Sequence, residues 1–382
     1  MHVVVIGGGI VGLASAYELA RRGVQVTLCE QGSLGNGSTD RAVGGIRTQF
    51  STPVNVELSK ASLDVWNDFE ERFGTDIQFR RPGYLFLARE EETASALEAS
   101  AAMQRDHDLP TETLSPADAT EYCPGLEVDR YVAGSYSPLD GYADPHLAVQ
   151  GYASGAREAG VDVRTGTTVT EVLTDEGAVR GVETDTERLD ADFVVNAAGP
   201  WAGRVARMAG VDLPVSPRRR QVAIVSPSSP LSEDLPLTID LDSGSYFRPE
   251  RDGAAIVGGF FADDDPTVDP DGFDESMDLS WAAMAVERAG ETATYFGPET
   301  QIKRGWAGLY GVTPDDHPIV EESVPGLVNA VGFSGHGFQH APATGQVVAE
   351  LCCDGSASLV DVSPLRSERF ADGETTTERH VA

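Results

Sequence analysis

Lysine is almost missing from this chain. Of 28 basic residues only Lys60 and Lys303 are lysine, against 61 aspartates and glutamates, which leaves a formal charge of −33 and a pI near 4.4. That balance argues against nucleic acid or an anionic membrane as partner. It suits a protein dissolved in concentrated salt, where screening over a few ångströms removes self-repulsion, so a high-salt host is expected; binding to cationic partners is the weaker account. No stretch approaches the ~20 apolar residues of a membrane span. There is no basic segment leading a signal sequence, because the apolar start runs directly into glycines. The four cysteines, Cys29, Cys123, Cys352 and Cys353, have neither zinc nor redox-motif spacing. Reduced, buried thiols in a cytoplasmic protein are expected, and no metal site.

What is present is concentrated at the start. Val3 to Ile6 form an apolar, mostly β-branched run suited to a parallel strand buried on both faces. Gly7, Gly9 and Gly12 follow with G-x-G-x-x-G spacing. The first glycine permits a tight turn, the second lets backbone approach a pyrophosphate, and the third lets helix pack on strand. A helix from Ile10 to Arg22 would aim its N-terminal amides at that phosphate. Val24 to Leu28 make a second strand, and Glu30 lies 21 residues after Gly9, where a carboxylate can accept from a ribose hydroxyl. A glycine triplet alone is weak evidence; strand, triplet, helix, strand and acid in order specify a dinucleotide site.

At 382 residues the chain can bury two cores. Strand and helix signals alternate in three separated blocks. The texture between them changes to strands, with a hairpin expected at Ile77 to Leu87 around Pro82-Gly83. An α/β (α+β) fold follows, with a Rossmann-like nucleotide domain from 1–73, 144–212 and 305–370. A mainly antiparallel sheet domain is inserted from 74–143 and 213–304, and the polar tail 371–382 is expected to be flexible.

Two further turns carry chemistry. In FVVNAAGPWA, Ala197, Ala198 and Gly199 leave room for backbone to pass close to a cofactor, and Trp201 opens a helix. In GFSGHGF, Gly332, Gly335 and Gly337 precede the helix from Phe338. Exposed amides and a helix N-terminus there can stabilise negative charge on a reduced cofactor. His336 is read as either a polar contact to flavin or substrate or a buried, backbone-bonded histidine. Ser334 reads as a turn former. Arg47 follows Gly44 and Gly45, whose missing side chains leave space beside a flat ring, and arginine suits bidentate carboxylate recognition. Arg41 is the fallback.

These motifs, together with STDRAVGGIRTQF, SYFRPERDGAAIVGGF and WAGLYGVTPDDHPIV, resemble the D-amino-acid-oxidase-like FAD enzymes, in the sarcosine oxidase, glycine oxidase and amino-acid dehydrogenase branch. The resemblance covers residues 2 to about 370 and implies FAD at the domain interface with an amine oxidised at its flavin face. It implies FAD contacts at Ser38, Val169, Gly308, Phe338 and Gln339 besides the glycines and Ala198, Gly199, Trp201 and Glu30. It sets Arg47 over the flavin and Tyr246 near substrate, while Arg248 reads as structural. Some relatives attach flavin through a cysteine where this chain has Gly308, so the FAD is expected to be non-covalent. Relatives that react with oxygen carry a lysine near Ile256, and a carboxylate-binding lysine corresponds to neutral Gln339.

The reading is therefore hydride transfer from the C–N bond of a small amino acid, secondary, N-methylated or D-configured, with hydrolysis of the resulting imine. A dehydrogenase is favoured over an oxidase, with an unknown electron acceptor. The alternatives are 2-hydroxy-acid or glycerol-phosphate dehydrogenation, or a flavoprotein subunit of a hetero-oligomeric amine dehydrogenase; homo-oligomers are equally open.

Overall fold

The strand His2–Ile6 lies inside a six-stranded sheet, and Val3, Val4 and Val5 have no exposed surface. The structure, a computed structural model, describes residues 1–261, 265–373 and 375–380. The sheet runs Ile319–Val324, Leu327–Val331, Phe193–Asn196, His2–Ile6, Gln25–Glu30 and Asp162–Thr165. All neighbours are parallel except the first pair. Parallel strands need both faces covered. Helices Ile10–Arg21, Pro145–Glu158 and Gly337–Asp354 cover one face, where Val3 and Val5 meet Leu13, Tyr152 and Val348. The meander Val169–Asp175, Ala178–Thr184, Arg188–Asp190 and the helix Ala202–Met208 cover the other, over Val4 and Ile6.

The second sheet has eight strands, in the order Gln301–Val312, Ser216–Ser226, Ala255–Gly259, Ser245–Pro249, Leu237–Asp240, Tyr84–Ala88, Ala133–Ser137 and Glu112–Leu114. Only Leu237–Asp240 and Tyr84–Ala88 pair in parallel. Side chains alternate across it. Ala223, Val225, Phe247 and Val257 pack on the helix Leu279–Thr292, while Val222, Tyr246, Ile256 and Ile239 form a separate cluster with Tyr84 and Phe86. Gln301–Val312 pairs with Ser216–Ser226 on both sides of residue 305, where the sequence suggested a boundary.

Several local expectations differ. The hairpin at Pro82-Gly83 does not form: Tyr84–Ala88 pairs with Ala133–Ser137 and Leu237–Asp240 instead. Gly83, at φ +88°, sits so close to Tyr136 that a Cβ would lie 2.2 Å from its ring, so the turn serves long-range packing rather than a local partner. The helical stretch that starts at Pro53 is broken at Asp68, into Pro53–Asn67 and Phe69–Phe73. Cys353 is exposed, while the other three cysteines are buried, and all four are free. Within the tail expected to fray, residues 374, 381 and 382 lie outside the described residues, but Glu378 and His380 are only 1% and 3% exposed. No helix among the described residues is long and apolar enough to cross a membrane.

Candidate active site

A cavity of about 770 Å³ lies between the two sheets, and every expected site residue except Gly12 lines it. Gly12 acts one layer behind. A Cβ there would lie 1.9 Å from the Gly7 carbonyl, and one on Gly7 would lie 2.4 Å from that of Ala197. The turn therefore exists only as glycine. Gly9 caps the helix Ile10–Arg21 without a side chain, so no side chain of its own covers the first-turn amides. Glu30 is aimed by its neighbours: Oε2 accepts from the Gly8 amide and Oε1 from the Gly32 amide, both at 2.7 Å. Each oxygen keeps a further lone pair for a ribose hydroxyl. Val169, Ala198, Gly199 and Trp201 continue this wall. The Ser38 hydroxyl donates to the Leu309 carbonyl at 2.6 Å, tying the loop to the inserted sheet. The Trp201 indole donates to Asp271 at 2.6 Å, and Arg204 pairs with Asp269 and Asp271, which draws that acidic segment over the cavity. The Ile10 amide donates to the Thr39 hydroxyl at 3.2 Å, and this cradle of glycines, aimed carboxylate and helix N-terminus fits FAD.

At the other end Gly308, Gly332, Gly335, Gly337, Phe338 and Gln339 line the space. Gly335 is obligatory, with φ +99° and a Cβ position 2.3 Å from the Tyr310 ring. Phe338 stacks on Trp66 at 5.0 Å. His336 shares this cavity with Arg47, but its ring is engaged elsewhere. Nε2 lies 2.9 Å from the Asp316 carbonyl, which can only accept, so that nitrogen carries the proton. Nδ1 then accepts from His340 Nδ1 at 3.1 Å, and His340 Nε2 accepts from the Ser59 hydroxyl at 2.9 Å. Burial pushes His336 down to about 4 and His340 well below its usual range, so both are neutral. The polar contact from His336 to flavin or substrate is thus unavailable, because packing against the helix start has consumed both nitrogens.

Four arginines line the cavity: Arg41, Arg47, Arg204 and Arg220. Arg41 pairs with Glu275 at 2.6 Å, Arg204 with two aspartates, and Arg220 with Asp265 through two bonds of 2.8 and 2.9 Å. Arg47 alone has no carboxylate partner among the described residues. Its guanidinium stacks over Phe50 at 4.0 Å and donates to two neutral carbonyls, those of Gln49 and His380. Burial lowers its pKa from the usual arginine value, the direction expected of an isolated buried cation. The span that follows it is held by Asp140, which accepts from the Thr48 amide and hydroxyl at 2.8 and 2.7 Å. Burial raises the Asp140 carboxyl to about 6. Tyr84, Tyr246 and Tyr310 face the same space, each phenol held above its usual pKa by burial and so protonated. Val222, Leu237 and Ile239 supply apolar wall.

No lysine is among the lining residues; Lys60 bonds the His107 carbonyl, and Ile256 is buried among apolar side chains. At Gly308 there is no thiol, only the Arg41 side chain packed close by. The lining thiol, Cys29, is driven up to about 11 by burial and is therefore not a nucleophile at neutral pH. Arg248 bonds the Pro249 and Val43 carbonyls, a structural role. Sequence reasoning missed Tyr84, Tyr310, Asp140 and Arg220. Only Tyr310, inside WAGLYGVTP, lay in a motif already singled out.

The family model described as FAD dependent oxidoreductase (DAO) matches residues 2–351. The chain is 31% identical to glycine oxidase from Pseudomonas putida, over 96% of this chain and 98% of that one. It is 30% identical to mitochondrial dimethylglycine dehydrogenase from Rattus norvegicus, covering 99% of this chain and 45% of the relative. The crystal structure of L-proline dehydrogenase from P. horikoshii superposes with a TM-score of 0.88 at 33% identity, over 97% of this chain and 98% of that one. A dinucleotide cradle and an unpaired arginine in one cavity, on a chain matched along nearly its whole length, lead to one conclusion: the protein belongs to the DAO family of FAD-dependent oxidoreductases, whose members here act on amino acids.

Proposed function

We propose that the protein oxidises the C–N bond of a small amino acid, secondary, N-methylated or D-configured, and does so as a dehydrogenase. One observation carries the reading: Arg47 is a buried guanidinium that has no carboxylate partner among the described residues, while its three cavity-lining counterparts are all ion-paired. A substrate carboxylate completes it through N–H groups not spent on Gln49 and His380. Beyond the carboxylate, Tyr84, Tyr246 and Tyr310 meet the amine with neutral hydroxyls and aromatic faces, and Val222, Leu237 and Ile239 exclude water. Bound FAD supplies the acceptor for the α-hydride, held non-covalently. No side chain need act as a strong base, because the amine enters deprotonated; the imine product leaves to be hydrolysed by water.

The dehydrogenase choice rests on the absence of lysine among the lining residues. Two of the relatives named above are dehydrogenases of a tertiary and a cyclic amine, which supports the N-substituted class. The cytoplasm of a salt-loving cell suits the acidic surface. The test is anaerobic: holoenzyme in high salt is mixed with sarcosine, proline and D-alanine and the flavin absorbance followed. Bleaching by an amine, with fast turnover on a dye but slow oxygen consumption, is expected. Bleaching by a 2-hydroxy acid and by no amine would reject the assignment.

A further inference from the structure

We infer that Glu378 and the segment reaching His380 are part of the substrate-carboxylate site, with Glu378 a positioning residue for Arg47. This rests on the carboxylate reading of Arg47 above. Arg47 lies in a short span, residues 47–52, that leads into the helix Pro53–Asn67. Glu378 is wedged against the end of that span. Its Oε1 accepts from the Ser51 amide at 2.7 Å and the Ser51 hydroxyl at 2.6 Å; its Oε2 accepts from Thr52 at 2.8 Å and Asn55 at 3.0 Å. With the His380 amide, which also donates to Oε1 at 3.1 Å, five donors converge on one carboxylate that is 1% exposed. That is more than tethering a tail requires, since the helix start alone would be served by one acceptor.

The backbone is fastened independently. The Glu378 amide donates to the Asp315 carbonyl at 3.0 Å, and the Arg379 amide donates to Ser51 Oγ at 2.9 Å. The His380 ring lies 5.0 Å from Phe86, with Nδ1 3.3 Å from the Gln49 carbonyl. The outcome is that the His380 carbonyl accepts from Arg47 Nη2. With Gln49 holding Nη1, the guanidinium is clamped on two edges by neutral acceptors, and its charge is left for an anion. Arg47 thus owes its orientation to a segment more than three hundred residues away. Preorganisation of this kind acts on ligand binding rather than on the hydride step.

The experiment titrates oxidised holoenzyme with acetate, read by the shift of the flavin absorbance, with acetamide as the uncharged control; steady-state kinetics follow on the amine that bleaches the flavin. Glu378→Gln keeps one acceptor oxygen and should raise the acetate Kd and the substrate KM several-fold. Glu378→Ala should raise both by about tenfold or more, with kcat within about twofold and FAD content unchanged. Glu368→Ala, at an exposed acid outside this segment, should match the wild type. If Glu378→Ala fails to hold FAD, His380→Ala, which removes the ring on Phe86 and its Nδ1 contact with the Gln49 carbonyl, should still weaken acetate and leave acetamide unaffected. Acetate binding by wild type that is unchanged in Glu378→Gln and His380→Ala overturns this inference and spares the carboxylate reading. Wild type that does not bind acetate at all overturns both.

Discussion

The side-chain carbonyl of Gln339 accepts a hydrogen bond from the backbone amide of Arg47 at 2.8 Å, across 292 positions of sequence. Gln339 sits in the first turn of the helix Gly337–Asp354, which begins beside the glycine turn, and its own carbonyl accepts from the Trp66 indole at 2.9 Å. The bond therefore joins the expected flavin wall to the expected substrate grip. A lysine at this position would offer a donor to an amide that is itself a donor; glutamine supplies the acceptor instead.

Gln339→Leu should remove that staple while keeping the volume. The Arg47 amide would be left buried and unpaired, which costs about 1–3 kcal/mol. The substrate KM is expected to rise by about tenfold with FAD retained. An unchanged KM in a folded, yellow variant would show that the loop is held by its other contacts.

Arg47→Lys should not be conservative. A lysine ammonium cannot reproduce the clamp by Gln49 and His380 together with bidentate carboxylate binding. The loss of kcat/KM is expected to be roughly a hundredfold, about 3 kcal/mol, with the flavin spectrum unchanged. Wild-type kinetics in this variant would remove the substrate role of Arg47.

The neutral His336 makes the fold sensitive to acid in a defined window. Its folded pKa, about 4, lies below its ordinary 6.5, so between those values the unfolded chain binds a proton that the folded chain refuses. The stability this group contributes is complete above pH 6.5 and is lost as pH falls toward 4. Relative to His336→Gln, the wild type should lose about 2 kcal/mol between pH 7 and pH 4.5, at about 1.4 kcal/mol per pH unit. Urea unfolding of both proteins at fixed salt measures the gap. A gap that stays constant would mean the imidazole takes up its proton in the native state as readily as in the unfolded chain.

The charge of −33 sets the salt response. Raising ionic strength from about 0.1 M to about 1 M shortens the screening length from about 10 Å to about 3 Å, which relieves repulsion across the surface. The thermal midpoint of the holoenzyme should climb over this range in potassium chloride. A flat or falling midpoint would leave the acidic surface without a stabilising role for salt.

The residues that announced this site in the sequence are those whose function is local. Gly7, Gly9 and Gly12 make a turn from neighbours, and Gly335 is needed for the φ of its own backbone, so each leaves a spacing that can be read in one dimension. Tyr84 carries no such mark. It enters the site because its strand is laid in parallel beside Leu237–Asp240, more than 150 residues later. Glu378 is plainer still: a glutamate in a polar stretch, indistinguishable by composition from the other acids around it.

By itself the chain determined a nucleotide-binding strand and turn, the small-residue turns that admit a cofactor, an acidic surface and a loop arginine suited to a carboxylate. These follow from backbone sterics and charge, which act over a few residues. Folding alone decided that three of the lining arginines would be neutralised and one left without a carboxylate partner among the described residues, that His336 would spend its ring on His340 and Asp316, and that the distal strap would reach Arg47. Those outcomes depend on which carboxylates and carbonyls arrive within hydrogen-bonding distance, and only the close packing of distant segments sets that.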